Sequence, residues 1–325
     1  MPDRIPPPQP RLVCAFDLGG TNLRAAIIDE TGKIRARVRH DTPGAAKSPD
    51  EIVRALVAAA RECESAVSDS GKIQAASVVV PGIVDASNKV VIQVPSLPCL
   101  DNFLLRDALA RELGWPVVLE NDANAAALGE MWLGAGRGHR TIICITLGTG
   151  VGGGIIQDGK LWRGADGTAG EVGHTPVDPL GGVKCKCGSV GCLEMFASGT
   201  AIVRLVQEGL PRYADSLLRG ETLSAKKVYE AGMKGDALAV DVMARMGTFL
   251  GLGIANLVNL LNPEVIVIGG RVASAWELFA DHMHKEILAR AFSLPARSVR
   301  IVPAECGDDA GLLGAARLAF DELRR

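Results

Sequence analysis

The sequence has few of the features that mark nucleic-acid-binding, membrane or disulfide-rich proteins. It has no long run of Lys or Arg, and its formal net charge is −2, so no basic surface is expected to follow a phosphate backbone. No uninterrupted apolar stretch approaches the roughly 20 residues that a membrane-spanning helix requires. Eight cysteines in 325 residues are too few for a disulfide scaffold. Nucleic acid and membrane are therefore not expected as partners.

The N-terminal segment MPDRIPPPQPR is rich in proline and lacks the apolar core of a signal peptide. Residues 1–11 are therefore expected to form a disordered tail, and the protein is expected in the cytoplasm, where thiols stay reduced. The whole sequence is 48% hydrophobic and 22% charged, which supplies a sizeable core. At 325 residues the chain exceeds one typical domain, and two lobes are predicted.

Two stretches share one pattern, an apolar strand, a Gly-rich turn and a second strand. They are RLVCAFDLGGTNLRAAIID (11–29) and TIICITLGTGVGGGIIQDG (141–159). Aligning Leu18 with Leu147 also places Gly19 on Gly148 and Asp29 on Asp158. Such a repeat indicates two lobes built on one plan. The segments between them alternate between strand and helix, which predicts a two-lobed α/β fold with a ligand cleft between the lobes.

The first Gly-rich turn, DLGGTNLR (17–24), is a candidate phosphate-binding loop. Gly19 and Gly20 have no Cβ, so backbone N–H groups can point at an anion, and Thr21 adds a hydroxyl. Asp17, at the strand end, is a candidate carboxylate for a hydrated Mg²⁺ ion. An ordinary hairpin turn has the same composition, so this loop alone is a weak signal.

A second donor-rich loop, TLGTGVGGG (146–154), occupies the equivalent place in the repeat, and two matched loops are a stronger signal than one. Gly269 and Gly270 follow a buried strand, where open α/β sheets commonly bind ligands. The first loop lacks the G-x-G-x-x-G spacing, both loops lead into apolar strand residues rather than a helix, and no G-x-x-x-x-G-K-[ST] motif is present. A dinucleotide-binding fold and a P-loop fold are therefore disfavoured.

The segment ENDANAAALGE (120–130) places Asn121 and Asp122 where a predicted strand becomes a helix. One interpretation makes Asp122 an N-cap that accepts backbone hydrogen bonds. The other makes it a carboxylate that accepts a proton from a substrate hydroxyl during phosphoryl transfer. The helix start favours the ionised form that this role needs, and Asn121 could orient another hydroxyl. Position alone leaves both interpretations open.

The segment GHTPVDPLGGVKCKCGSVGCLE (173–194) holds one nitrogen and three sulfur donors. These donors, His174, Cys185, Cys187 and Cys192, suit a tetrahedral zinc ion. In a reducing compartment such clustering favours a metal over a disulfide. The alternative is a loop with free thiols.

Six motifs occur in one order and together resemble the ROK family of sugar kinases and repressors, within the actin-like ATPase superfamily. They are DLGGTNLR, PGIVD (81–85), ENDANAAALGE, TLGTGVGGGI, GTAGEVGH (167–174) and CKCGSVGCLE (185–194). The resemblance covers roughly residues 12 to 320. It implies a two-lobed actin-like (ribonuclease H-like) ATPase fold, with ATP and Mg²⁺ in the cleft and phosphorylation of a hexose hydroxyl. We place the N-terminal lobe at 12–120, the C-terminal lobe at 121–307 with a zinc loop at 174–192, and a helix near 308–325 that packs back on the first lobe.

The resemblance also implies residue roles, with Asp122 as the general base. Sugar contacts fall at Gly82, Asn121, Asp122, Glu171, His174 and Glu194. The phosphate and Mg²⁺ region falls at Asp17, Gly19, Gly20, Thr21, Asn22, Gly148, Thr149 and Gly150, and the nucleoside side at Gly269 and Gly270. A structural zinc falls at His174, Cys185, Cys187 and Cys192, where it would position the sugar contacts around it.

Several alternatives stay open or are disfavoured. Glucose is the expected hexose, with N-acetylmannosamine, fructose or another hexose as the alternative, because Ser96 and Leu100 stand where glucose-specific members often carry Asn and Trp. The phosphoryl donor, ATP or polyphosphate, is also open.

A repressor would need a DNA-binding domain, and only the short tail 1–11 precedes Leu12. A non-catalytic sugar-binding protein is disfavoured because Asp122 is present. A homodimer or higher homo-oligomer is the family-level expectation.

Overall fold

The structure, a computed structural model, describes residues 10–43, 48–67, 71–85, 87 and 89–324. Most of the predicted tail, residues 1–9, lies outside the described residues. The chain divides into two compact units. The first unit comprises Met1–Gly134, Arg163–Ala169 and Asp308–Arg325, and the second unit comprises Ala135–Trp162 and Gly170–Gly307.

The elements alternate along the described chain as the sequence predicts. The strands are β1 (Leu12–Leu18), β2 (Asn22–Asp29), β3 (Ile34–Asp41), β4 (Ile73–Val80), β5 (Ile83–Val84), β6 (Val91–Gln93), β7 (Val117–Asn121), β8 (Ile142–Leu147), β9 (Val151–Gln157), β10 (Lys160–Leu161), β11 (Val265–Gly269) and β12 (Arg300–Pro303). The α-helices are α1 (Pro49–Ser65), α2 (Leu105–Leu113), α3 (Asp122–Leu133), α4 (Glu194–Ala197), α5 (Gly199–Gly209), α6 (Ala225–Gly232), α7 (Ala237–Leu261), α8 (Trp276–Arg290), α9 (Ser293–Ser298) and α10 (Ala310–Glu322). Short 3₁₀ helices cover Pro98–Leu100, Val172–His174, Leu210–Arg212, Arg271–Ala275 and Gly307–Asp309.

The first unit is built on a five-stranded sheet with the order β3-β2-β1-β4-β7. β1 is antiparallel to β2 and parallel to β4, which is parallel to β7. The carboxyl ends of β1, β4 and β7, at Leu18, Val80 and Asn121, therefore lie at one edge of the sheet. The turn after β1 and the start of α3 also lie at this edge, so the candidate residues of the first unit lie there together.

The second unit repeats this plan with the sheet order β10-β9-β8-β11-β12. β8 is antiparallel to β9 and parallel to β11, which is parallel to β12. The alignment of Leu18 with Leu147 holds at both strand boundaries of the hairpin: these two residues end β1 and β8, and the equivalent residues Asn22 and Val151 begin β2 and β9. The internal repeat predicted from the sequence is confirmed.

Helix α7 forms the centre of the second unit's core. Met246, Leu250 and Ile254 recur every four residues and are each 0% exposed, which places them on one face of the helix. Among the described residues, α7 is also the one helix with the length and apolarity of a membrane span, and 56% of that apolar window is buried. Its apolar character is used for packing inside the second unit.

The first unit extends beyond the boundary predicted after residue 120. β7 runs directly into α3 without a linker, and α3 packs on α10 within the first unit. The two helix backbones touch at glycines: a Cβ on Gly129 would lie 2.2 Å from the carbonyl oxygen of Ala310, and one on Gly314 would lie 1.7 Å from that of Ala125. Because α10 supplies this contact surface, α3 with Asp122 belongs to the first unit rather than to the second.

Candidate active site and metal centre

The start of α3 is organised by the side chain of Asn121. Its Oδ1 accepts hydrogen bonds from the amides of Ala123 at 2.9 Å and Asn124 at 3.1 Å, two donors that the helix itself leaves unpaired. Its Nδ2 donates to the carbonyl of Gly82 at 3.0 Å. Asn121 is therefore the N-cap, and the N-cap interpretation of Asp122 is wrong.

Asp122 is the first residue of α3 and is exposed. Its Oδ1 accepts a hydrogen bond of 2.9 Å from the amide of Ala123. The partial positive charge of the helix start favours a carboxylate at this position. With the cap supplied by Asn121, the carboxyl group of Asp122 lies exposed at this edge of the sheet.

Gly82 supports the Asn121 side chain from the turn after β4. A Cβ at this position would lie 2.2 Å from the carbonyl oxygen of Gln93 and 2.9 Å from Cγ2 of Val94. Since no side chain fits there, the backbone of Gly82 approaches closely enough to accept the bond from Asn121. The structure thus brings together Gly82, Asn121 and Asp122, three of the residues predicted to contact sugar.

The turn between β1 and β2 is closed by its own backbone. The amide of Gly19 donates to the carbonyl of Asn22 at 2.8 Å, and the hydroxyl of Thr42 donates to the carbonyl of Gly19 at 2.7 Å. A Cβ on Gly20 would lie 2.7 Å from Cβ of Ser96. Ser96 therefore packs directly against this turn, and Thr21 is exposed on it.

Two polar side chains of this turn are engaged by arginines. Asp17 faces Arg24 across the β1–β2 pair, and Nε and Nη2 of Arg24 both donate to Oδ2 of Asp17. In the described part of the chain no hydrogen bond ends on Oδ1 of Asp17. Oδ1 of Asn22 accepts bonds of 3.1 and 2.8 Å from Arg39, so the Asn22 side chain is held by a neighbouring strand.

The equivalent turn of the second unit is fixed by the start of α5. The amide of Gly148 donates to the carbonyl of Gly150 at 2.9 Å, and the amide of Gly199 donates to the carbonyl of Gly148 at 2.8 Å. The hydroxyl of Thr200 donates to the carbonyl of Thr149 at 2.8 Å. A Cβ on Gly148 would meet nothing within 4 Å, so this glycine faces open space.

Glu194 lies against this second turn. Its Oε2 accepts a hydrogen bond of 3.0 Å from the amide of Val151, and a Cβ on Gly150 would lie 2.3 Å from the same oxygen. The missing side chain at Gly150 is what lets the carboxylate reach the strand. A residue predicted to contact sugar and a residue predicted to contact phosphate thus meet in the second unit.

Gly270 lies in the same region at the end of β11. Its φ is +85°, and a Cβ there would lie 2.4 Å from the carbonyl oxygen of Leu147 at the end of β8. Gly269 is the last residue of β11, and a Cβ on it would meet Cβ of Ala304 at 3.2 Å. Glycine is required at position 270 by both the backbone conformation and the close approach.

The structure gathers the four predicted metal ligands into one cluster. The ligand atoms of His174, Cys185, Cys187 and Cys192 all lie within 4.8 Å of one another. Sγ of Cys187 is 3.6 Å from Sγ of Cys192, and Sγ of Cys185 is 3.7 Å from Nδ1 of His174. A tetrahedron with Zn–S bonds of about 2.3 Å separates its sulfur atoms by about 3.8 Å. The donor set and its spacing both fit a closed tetrahedral zinc site.

The loop that carries the cysteines is a tight knuckle. The amide of Cys185 donates to the carbonyl of Ser189 at 2.8 Å, and the amide of Gly188 donates to the carbonyl of Cys185 at 3.1 Å. Gly188 has a φ of +97° and Gly191 a φ of +72°, and a Cβ on Gly191 would lie 1.8 Å from a backbone oxygen. These glycines let the chain turn back so that Cys192 meets the other two thiols.

The two neighbouring thiols differ in environment. Hydrogen bonding by the Ser189 backbone, and then by the Cys185 side chain, lowers the pKa of Cys187. Burial raises the pKa of Cys192 to about 12. Because zinc binds thiolates, a zinc ion held here would have to displace the proton of Cys192.

His174 turns its two ring nitrogens in different directions. Nδ1 faces the sulfur of Cys185 at 3.7 Å, whereas Nε2 lies 3.9 Å from Oε2 of Glu171. The ring is half-buried, with 35% of its side chain exposed. One nitrogen is therefore placed among the metal donors, and the other is directed away from them toward Glu171.

Sequence reasoning did not single out a buried ion pair next to Asp122. Glu120, which is 2% exposed, binds Nε and Nη2 of Arg163 through its Oε2, each at 2.7 Å. Glu120 could have been noticed in the sequence, because a Glu at the end of an apolar strand is a buried carboxylate that needs a partner. The partner, 43 residues later in the chain, carried no signal of its own.

The ROK family profile matches residues 13–322 of the chain. A glucokinase from Thermotoga maritima is 37% identical over 312 residues, which cover 94% of this chain and 96% of that protein. A xylose repressor from Caldicellulosiruptor bescii is 34% identical over 248 residues, or 75% of this chain and 62% of the repressor.

Among solved structures, the ROK family glucokinase from Streptomyces griseus in complex with glucose and AMPPNP is 38% identical. Its TM-score is 0.79, and the match covers 95% of this chain and 99% of that one. The family profile spans nearly the whole chain, and both units of the structure carry the α/β plan described above. The chain belongs to the ROK family and has the actin-like ATPase fold of its kinases.

Proposed function

We propose that this protein is an ATP-dependent sugar kinase that transfers the terminal phosphoryl group of ATP to glucose and forms glucose 6-phosphate. Full-length similarity to glucokinases supports the reaction. The observation that carries it in the structure is the carboxylate of Asp122 at the start of α3, with the N-cap supplied by Asn121.

Asp122 acts as the general base in this proposal. Its carboxylate accepts the proton of the sugar hydroxyl, the hydroxyl oxygen forms the new bond to phosphorus, and ADP leaves with the former bridging oxygen. The hydrogen bond from the amide of Ala123 to Oδ1 fixes the orientation of the carboxylate. Asn121, bonded to Gly82 and to the first helical turn, holds the base in place and also borders the sugar.

Glu171, His174 and Glu194 are proposed to bind the sugar hydroxyls. Carboxylates accept and an imidazole N–H donates, the set that polyhydroxyl recognition needs. A zinc ion held by His174, Cys185, Cys187 and Cys192 would supply structure, because four protein ligands leave no open position. With Nδ1 of His174 on the metal side, Nε2 carries the proton that it can donate to a hydroxyl.

The glycine turns are proposed to bind the nucleotide. In the first unit the group consists of Gly19, Gly20, Thr21 and Asn22, and in the second unit of Gly148, Thr149, Gly150, Gly269 and Gly270. Asp17 is proposed to hold the water shell of Mg²⁺ through Oδ1, since both guanidinium bonds from Arg24 end on Oδ2. Such outer-sphere binding suits an ion that keeps most of its waters.

The runner-up is the same reaction on another hexose, and Ser96 is the observation that favours it. Its side chain packs against Gly20, where glucose-specific members often carry Asn. N-acetylmannosamine, mannose and fructose are the hexoses to compare.

A coupled ADP-release assay decides between these substrates. With ATP, we expect glucose to give the highest kcat/KM among glucose, mannose, fructose and N-acetylmannosamine. Polyphosphate in place of ATP tests the donor by glucose 6-phosphate formation. The Asp122→Ala protein, purified in the same way, controls for contaminating kinases. Turnover of another hexose but not of glucose would replace the proposed substrate, and no turnover of any hexose would overturn the kinase assignment.

The family-level expectation of a homodimer or higher homo-oligomer is likewise proposed, together with a cytoplasmic location. Sedimentation equilibrium of the purified chain tests the first, because a mass of 34.0 kDa at all concentrations would contradict it. Cell fractionation tests the second.

A further inference from the structure

The carboxylate of Glu120 divides its two oxygens between two parts of the first unit. Oε1 accepts hydrogen bonds of 3.0 Å from the amide of Asn121 and of 3.0 Å from Nδ2 of Asn124. Oε2 accepts both bonds from the guanidinium of Arg163. One oxygen therefore fixes the junction between β7 and α3, and the other binds a distant chain segment.

The segment that Arg163 begins is a small closed loop. The amide of Ala169 donates to the carbonyl of Arg163 at 3.0 Å, and the amide and hydroxyl of Thr168 both donate to Oδ1 of Asp166. The loop Arg163–Ala169 belongs to the first unit. Gly170 and Glu171, which follow in the chain, belong to the second unit.

Because this ion pair is largely buried, it can hold the two chain segments that it joins. The side chain of Glu120 is 3% exposed and that of Arg163 is 24% exposed. A carboxylate removed from water needs its partners, because an unpaired buried charge is strongly unfavourable. A guanidinium bound through two nitrogens also restricts direction, not only distance. The pair therefore holds its two segments in one geometry.

We propose that Glu120 and Arg163 are positioning residues of the kinase: through Oε1 of Glu120 the pair fixes the first turn of α3 and so the base Asp122, and through Arg163 it ties the loop Arg163–Ala169 to that turn. The proposal rests on the proposed function, because it assumes that Asp122 acts on the substrate. It assigns to the pair a role that is exerted through Asp122.

The test compares two buried ion pairs of the same unit. Arg163→Met removes the charge and keeps the length of the side chain. The control, Arg35→Met, breaks the pair of Arg35 with Asp29, whose carboxylate is 1% exposed and bound at 2.6 Å. Asp29 pairs with Leu12 at the opposite end of the sheet, so this variant loses a similar interaction far from the edge that carries Asp122.

The expected result separates positioning from stability. We expect Arg163→Met to lower kcat about 10- to 100-fold, while Arg35→Met keeps kcat within about 2-fold at a similar loss of Tm. Arg163→Lys, which keeps the charge, is expected to recover part of kcat. Glu120→Gln is expected to lower kcat as well, and the double variant with Arg163→Met is expected to be no worse than the more impaired single variant.

A second measurement does not depend on activity. Hydrogen exchange of the amides of Ala123 and Asn124, which bond to Asn121, is expected to accelerate in Arg163→Met and not in Arg35→Met. Equal exchange in wild type and Arg163→Met, or a kcat loss equal to that of Arg35→Met, would overturn the proposal. If the wild-type protein phosphorylates no hexose while the exchange still accelerates, the proposed function fails and the fixing of the α3 turn stands.

Discussion

At the scale of single residues, Asn121 and Asp122 have different roles at the start of α3. Both are residue types that cap helices well, and one interpretation of the sequence placed the cap at Asp122. In the structure the amide side chain of Asn121 takes the cap and also binds Gly82. The carboxylate of Asp122 is thereby held at the first turn of α3, where the proposed function requires the general base.

Replacing Asp122 by Ala is expected to lower kcat about 10²- to 10⁴-fold, the usual contribution of general base catalysis. Glucose binding, measured by calorimetry, is expected to change much less, because the proposed hydroxyl contacts are spread over other residues. The matched control is Asp107→Ala, which removes an exposed Asp from the first turn of α2 in the same unit. Near wild-type turnover of Asp122→Ala would contradict the assignment of the base.

The metal cluster leads to a second prediction at this scale. The purified protein is expected to contain about one zinc per chain, and Cys187→Ser is expected to lose it and to raise the KM for glucose, because His174 loses its fixed orientation. Cys99→Ser, at a half-buried cysteine outside the cluster, serves as the control. Metal analysis by mass spectrometry checks the content, and a zinc-free wild-type protein would refute the site.

At the scale of elements, the helix pair α3–α10 is the contact that the sequence did not reveal. Gly129 and Gly314 read as ordinary small residues within Ala-rich helices. In the structure each faces the backbone of the other helix, opposite Ala310 and Ala125. This contact holds the helix that carries Asp122 in the first unit.

Gly314→Ala is expected to destabilise the protein by about 1–3 kcal/mol or more, because the new Cβ would lie 1.7 Å from the carbonyl oxygen of Ala125. Gly311→Ala in the same helix is the control, since its Cβ would meet its nearest atom at 3.6 Å. Ala is the better helix former by about 1 kcal/mol, so the control is expected to be neutral or stabilising. Urea denaturation of both variants checks the prediction, and equal stability would contradict it.

At the scale of the whole molecule, hydrogen-bonded and buried carboxylates are expected to govern how the stability of both units responds to acid. Burial raises the pKa of Asp29 in the first unit, but hydrogen bonds from Thr31, Arg35 and Lys33 outweigh it and lower the pKa. The same holds for Asp236 in the second unit, whose carboxylate caps α7.

Carboxylates with a lowered pKa stabilise the fold in their ionised form. Their contribution is fully present above the ordinary Asp pKa of 3.8 and is lost as the pH falls through the lower value of the folded state. The free energy of unfolding is therefore expected to fall steeply below about pH 4.

Asp236→Asn is expected to cost about 1–3 kcal/mol at pH 7 and to flatten the acid slope below pH 4. The reason is that Oδ2 of Asp236 accepts the amide of Leu217 at 2.6 Å, a bond that an amide nitrogen cannot accept. Asp215→Asn, at an exposed position nearby, is the control. Denaturation at several pH values checks the slope, and an unchanged slope in Asp236→Asn would contradict the prediction.

The strands and helices, the internal repeat and the identity of the candidate residues can all be predicted from the sequence. Apolar periodicity fixes strands and helices locally, and the two strand–glycine–strand hairpins carry the same pattern in two distant parts of the chain. The ligand set His174, Cys185, Cys187 and Cys192 could also be chosen from residue types alone. All of these are properties of short stretches of chain, which a sequence displays directly.

Which side chains bind one another depends on the folded chain and could not be predicted from the sequence. In the structure Asn121 is the N-cap of α3, Arg24 binds Asp17, and Glu120 binds Arg163. Helix α3 belongs to the first unit. Glu120 and Arg163, for example, are 43 residues apart in the chain. A charge shows in the sequence that it needs a partner, but the fold selects which of many arginines reaches it, because that choice depends on how strands and helices pack.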